Sequence, residues 1–203
     1  MRKASRMPFL DRVDDGDFVG ALAVIGDRDD EDSKAALWRA YCLSRLGQHA
    51  KARDIYVDML SSGEDSNDGD CGVSRNDIML YLSIVYCRLA DFADAEKLAL
   101  AVDCGDKNDR QSSLRVRILL HIAQRTRDEA KVAEYRQRLT DTLEDLLAAA
   151  AVDFSFRNRY EDAAAVYNKI LARDGKELAL SVFRYVPLQE LGYQGTLTFS
   201  LLT

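Results

Sequence analysis

The stretch RNRYEDAAAVYNKIL, Arg157 to Leu171, rewrites the pattern of RLGQHAKARDIYVDML, Arg45 to Leu60. Each sets an alanine, then a tyrosine four residues on, then an apolar residue three further: Ala52, Tyr56, Met59 and Ala163, Tyr167, Ile170. A phrase that recurs at a distance along one chain marks a repeat architecture, in which each unit is one supersecondary element. That restricts the fold more than any other feature of the sequence.

Read as a helix–turn–helix unit of about 34 residues, the chain holds three copies in register. A unit starting at Ser33 sets Ala40, Leu43, Gly47, His49, Ala52, Tyr56 and Met59 at its small, large, turn, aromatic, small, aromatic and apolar places. A unit starting at Asn76 sets Ser83, Tyr86, Ala90, Phe92, Ala95, Ala99 and Val102 there, and one starting at Glu144 sets Ala151, Phe154, Asn158, Tyr160, Ala163, Tyr167 and Ile170. The two small places are where antiparallel helices approach most closely, so Ala, Ser or Gly fits and anything larger overpacks. The expected packing signature is therefore Ala40, Ala52, Tyr56, Ser83, Tyr86, Ala95, Ala151, Phe154, Ala163 and Tyr167. No unit buries its apolar face alone, so units must stack. This is the tetratricopeptide (TPR) pattern, and the expected fold is all-α: a helix–turn–helix solenoid wound as a right-handed superhelix.

The intervals between units give the organisation. Residues 1–32 read as a tail and a degenerate first hairpin, in which GDFVGALAVI (Gly16 to Ile25) is the second helix. Residues 33–60, 76–109 and 144–176 are the good units. Residues 110–143 form a degenerate unit that starts near Gln111, keeps Ala130 at a small place and has Glu134 where an aromatic belongs. Residues 61–75, SSGEDSNDGDCGVSR, read as an acidic, flexible insertion. Its Asp65-to-Asp70 stretch fails as a calcium loop, because Gly69 falls where a ligand belongs and Asp70 where glycine belongs. Ser61, Ser62 and Ser66 could serve as a phosphoserine switch there. Residues 177–203 open like another first helix, break at Val186–Pro187 and end in strand-like alternation.

Composition narrows the function classes. Hydrophobic residues make up 47% of the 203, enough for a continuous core, and only two prolines interrupt the chain. Basic and acidic residues, 28 and 34, are intermixed and leave a formal charge of −6; this argues against a nucleic-acid partner. No apolar run is long enough for membrane insertion. MRKASRMPFL lacks the apolar segment of a secretory signal. Cys42, Cys71, Cys87 and Cys104 form no C-x-x-C pair, so free thiols in reducing cytosol are expected.

A search for chemistry yields no catalytic residue, metal ligand or cofactor. His49 and His121 fall at packing places and have no partner at ligand spacing. Glu144/Asp145 and Asp14/Asp15 are expected at helix starts, where the dipole accounts for them. There is no phosphate loop, and Cys42 and Cys87 read as inert core thiols. A clamp for a partner's C-terminal carboxylate needs Asn where Tyr41 and Tyr81 stand. The first helices offer a candidate partner-binding strip at Lys34, Leu37, Tyr41, Arg45, Leu80, Ile84 and Arg88, which reads either as inter-repeat core or as a groove for an amphipathic helix. On residues alone the chain is a cytosolic TPR adaptor for a helix or peptide.

The run from DFVGALAVI through LWRAYCLSRLGQHAKARDIY, LYLSIVYCRLADFADAEKLAL, LLHIAQRTRDEAKVAEYRQRL and RYEDAAAVYNKILARDGKELAL resembles the tetratricopeptide subunit, number fifty-six, of intraflagellar transport complex B. The order of good, good, poor and good units is the specific part. The likeness runs from about Arg2 to Tyr185 and corresponds to the N-terminal portion of that longer family. It implies a non-enzymatic scaffold of the transport particle in cilium and flagellum assembly and motility. It also implies contacts with other complex B subunits, and a place in the cilium and basal body with a cytoplasmic pool.

Overall fold

The structure, a computed structural model, describes residues 8–26, 33–62, 74–103 and 110–156, with residues 162, 163, 165, 166 and 170 beyond them. Tyr167, Cys71, Cys104, most of the acidic insertion and the tail from 171 lie outside the described residues. All regular structure among the described residues is helical: α1 Pro8–Asp14, α2 Phe18–Gly26, α3 Ser33–Arg45, α4 His49–Ser61, α5 Arg75–Arg88, α6 Phe92–Ala101, α7 Arg110–Arg125, α8 Glu129–Gln137 and α9 Leu143–Ser155. The chain divides into two compact units, Met1–Arg127 and Asp128–Thr203.

In the first unit each helix packs on its successor, α1 on α2 through to α6 on α7, and α5 also packs on α7. This is the neighbour-by-neighbour contact of an α-helical repeat. Three hairpin turns are built alike. Gly47 N–H donates to the Ser44 carbonyl and Gln48 N–H to the Leu43 carbonyl; the Arg12–Asp17 and Tyr86–Asp91 turns repeat both bonds. This double bond ends the first helix of each pair and needs one residue in the left-handed region. Gly16 and Gly47 take it at φ 78°, a conformation without penalty for glycine. Ala90 at φ 61° and Arg127 at φ 58° hold the same place with a Cβ, at a cost of about 1 kcal/mol each.

That left-handed residue gives a register independent of side-chain identity. The fifth residue after it is Ala21, Ala52, Ala95 and Val132, each fully buried. The ninth is Ile25, Tyr56, Ala99 and Arg136. The seventh before it is Phe9, Ala40, Ser83 and Leu120, again all buried. Where Ser83 meets Ala95, the hydroxyl donates to the Ala95 carbonyl at 2.7 Å, which ties α5 to α6 at their close approach.

The degenerate unit departs from its expected register at this point. Its turn residue is Arg127, two residues later than a unit starting at Gln111 would put it, because α7 runs longer than α3 or α5. Val132 and Tyr135 are therefore the buried residues of α8, and Ala130 and Glu134 are exposed. Leu120 and Val132 stand where the good hairpins have small residues, and Arg136 stands where they have an apolar side chain. The poor signature is a shifted one, with larger residues at its small places.

Several helix starts carry side-chain caps. Ser74 forms a reciprocal box with Asp77 at the start of α5: the Ser74 hydroxyl accepts from the Asp77 N–H, and Asp77 accepts from the Ser74 N–H. Arg75 also donates to the Leu60 carbonyl at 3.0 Å. The ends of the 61–75 segment thus belong to helices, Ser61 to α4 and Ser74–Arg75 to the start of α5, because caps and helix carbonyls bind them. Asp17 accepts from the Gly20 N–H and from Arg12, which caps α2. Asp14 and Asp15 close α1 rather than open a helix, so the dipole does not account for that pair. In the second unit, Thr142 caps α9, and the buried Asp145 accepts from the Thr140 N–H and hydroxyl.

Candidate functional site

The candidate strip lies on the first helices α3 and α5 of the first unit. Tyr41 is 38% exposed, and Arg45 and Arg88 are exposed. Lys34, Leu37 and Ile84 are half-buried. Leu80 is fully buried and leaves the candidate strip as a correction: packing already covers it, so no partner can reach it. Leu37 packs beside the cluster of Ala40, Ala52, Tyr56, Leu82 and Val85. Of the expected packing residues, Ala40, Ala52, Tyr56, Ser83, Ala95 and Ala163 are buried; Tyr86, Ala151 and Phe154 are half-buried. In α9 the fully buried alanine is Ala150, one residue before the one expected.

Tyr41 belongs to an aromatic chain that sequence reasoning missed. Phe9 lies 5.9 Å from Trp38, Trp38 lies 5.7 Å from Tyr41, and Tyr41 lies 6.1 Å from Phe18, the last two edge to face. Arg45 sits over the Phe18 ring at 5.3 Å. Such contacts add stability beyond burial and fix α3 against α2. The sequence showed only Trp38 and Tyr41 three residues apart on α3; their partners come from two other helices.

The reactive side chains are quenched by their surroundings. Burial pushes the Cys87 thiol up to about 11, although Arg88 pulls the other way, and burial also raises Cys42. Both are poor thiolates near neutral pH. Burial likewise raises the Tyr56 phenol, with Tyr81 adding to the effect at a ring distance of 6.4 Å. His121 is exposed, a correction to its expected packing place, and the shift in α7 is the reason. Desolvation by the neighbouring protein lowers its pKa, and Arg125 and Arg88 lower it further. Among the described residues, no group of three His, Cys, Asp or Glu side chains is placed to hold a metal ion, and no helix is long and apolar enough to cross a membrane.

In the second unit an ion pair holds a buried carboxylate. Arg136 Nε donates to Asp153 Oδ1 at 3.1 Å and Nη2 donates to Oδ2, joining α8 to α9. Asp153 is 1% exposed and the Arg136 side chain 33%. The guanidinium therefore reaches water while the carboxylate depends on it.

These helices, each packed on its successor in the first unit, can be set beside known proteins. A family model described as Intraflagellar transport protein 56 matches residues 36–195, past Tyr185, where the likeness read from the residues ended. The Intraflagellar transport protein 56 homolog of Caenorhabditis elegans is 28% identical over 191 residues, covering 90% of this chain and 30% of that protein. The chain thus spans well under half the length of this relative. No solved structure matches it. With the family model matched over most of its residues and a helical-repeat fold beneath, the chain belongs to the intraflagellar transport protein 56 family.

Proposed function

We propose that this chain is a non-enzymatic TPR scaffold of the intraflagellar transport B particle, acting in cilium or flagellum assembly and motility through contacts with other complex B subunits. It works at the cilium and basal body and keeps a cytoplasmic pool. The family match over residues 36–195 carries this reading. The packing supports it: stacked hairpins leave long helix faces exposed, a shape that binds other proteins along its length. Lys34, Leu37, Tyr41, Arg45, Ile84 and Arg88 are the residues proposed to meet a partner. The test is to tag the chain in a ciliated cell, image it and purify what binds. Enrichment at the basal body and axoneme with co-purified complex B subunits is expected; a diffuse signal with none of them removes the reading.

A further inference from the structure

The shifted register of α7 brings out a feature of the first unit. Two residues before the left-handed turn residues Gly47, Ala90 and Arg127 stands an arginine, Arg45, Arg88 and Arg125, where the first turn, at Gly16, has Asp14. Each is the basic residue of the last turn of its helix, and all three are exposed. Four residues earlier on the same row stand Tyr41, Ile84 and His121. On its nominal unit start α7 would put Ala123 in this row; the longer helix puts Arg125 there.

We propose that the row Arg45, Arg88 and Arg125 is a docking surface for an acidic segment of a partner protein, one that carries apolar side chains among its Asp and Glu residues. α5 packs on α7, and Arg88 and Arg125 both act on His121, which sets the ends of these two helices on a common side. Among the described residues Arg45, Arg88 and Arg125 form no ion pair; Arg45 has the Phe18 ring. A helix dipole favours a cation at the C-terminal end, which explains each sign singly. It does not explain one register place occupied by arginine at the ends of α3, α5 and α7 in turn. A carboxylate partner can pair with each exposed guanidinium, whose planar fork grips a carboxylate through two hydrogen bonds. Tyr41 and Ile84 supply apolar contact beside the charges. The chain's net charge of −6 opposes a long polyanion such as nucleic acid, while a short acidic segment meets only the local row.

This inference names the partner chemistry of the scaffold reading and rests on it, but its test is separate. The probe is a labelled peptide of Glu with interspersed Leu, titrated with the protein by fluorescence anisotropy. Its controls are the same peptide with Gln for Glu and a single-stranded DNA oligonucleotide. Expected are tight binding of the Glu peptide, weaker binding of both controls, and loss of affinity as salt rises. Arg88→Gln with Arg125→Gln weakens the Glu peptide by roughly tenfold or more; Lys97→Gln, on α6, leaves it unchanged. Should the double variant lose helicity, Arg45→Gln alone decides. The proposal is overturned if folded variants bind like the parent, if the Gln peptide binds as well, or if the oligonucleotide binds more tightly. A chain that binds the peptide but brings down no complex B subunit from cells removes the scaffold reading and leaves the row standing.

Discussion

The α5–α6 hairpin and the α8–α9 segment solve the same packing problem with different chemistry. In α5–α6 small residues let two backbones meet, Ser83 hydrogen-bonds across to Ala95, and Ala99 follows as a small buried residue. Around α8 the equivalent small place holds Val132, and the ninth place after the turn holds Arg136, paired to the buried Asp153. The first solution uses small side chains; the second uses larger ones and an ion pair. A buried ion pair gives weak net stability, because desolvation offsets most of its attraction, but it punishes the loss of either partner. A repeat can thus keep its geometry while its recognisable residues are replaced.

Substitutions can break that contrast. Tyr56→Ala removes the aromatic at the ninth place of α4 and should cost about 4 kcal/mol, read by urea unfolding followed at the helix signal; a cost near zero would mean the apolar hairpins do not depend on this place. Arg136→Leu strands the Asp153 carboxylate and should cost on the order of 3 kcal/mol, whereas adding Asp153→Leu should restore most of it. Additive losses in that double-mutant cycle would show that the pair is not coupled. Ala95→Leu should cost about 2 kcal/mol by overpacking, while Ala130→Leu should stay within about 0.5 kcal/mol because it points to solvent. Equal losses would restore the unshifted register and take Arg125 out of its row. Ser74→Ala, which opens the capping box of α5, should cost about 1 kcal/mol, with thermal melting as the measurement.

Much was legible because it was local. The all-helical class followed from the spacing of Ala40, Ala52, Ala95 and their apolar neighbours, and the C-terminal turn at Gly47 from its glycine. The capping box at Ser74 was equally visible, a serine three residues before an aspartate, but the polar run before it masked the signal. The family resemblance was carried by the order of good and poor units, and the family match agrees with it. The aromatic chain from Phe9 to Phe18 was not legible, since it joins three helices. Leu80 illustrates the limit: one apolar residue on a first helix suits core and groove equally, and only the neighbours that cover it decide.

By itself the sequence determined that the chain would be helices in antiparallel pairs, because period, turn residue and small-residue spacing are properties of one segment at a time. The tertiary structure decided the register of α7 and α8, the partner of Arg136 and the exposure of His121. Those depend on where one helix ends against another, and two extra residues of helix rotate every side chain after them by half a turn. No local pattern records that rotation, because it is set by which face finds something to bury against.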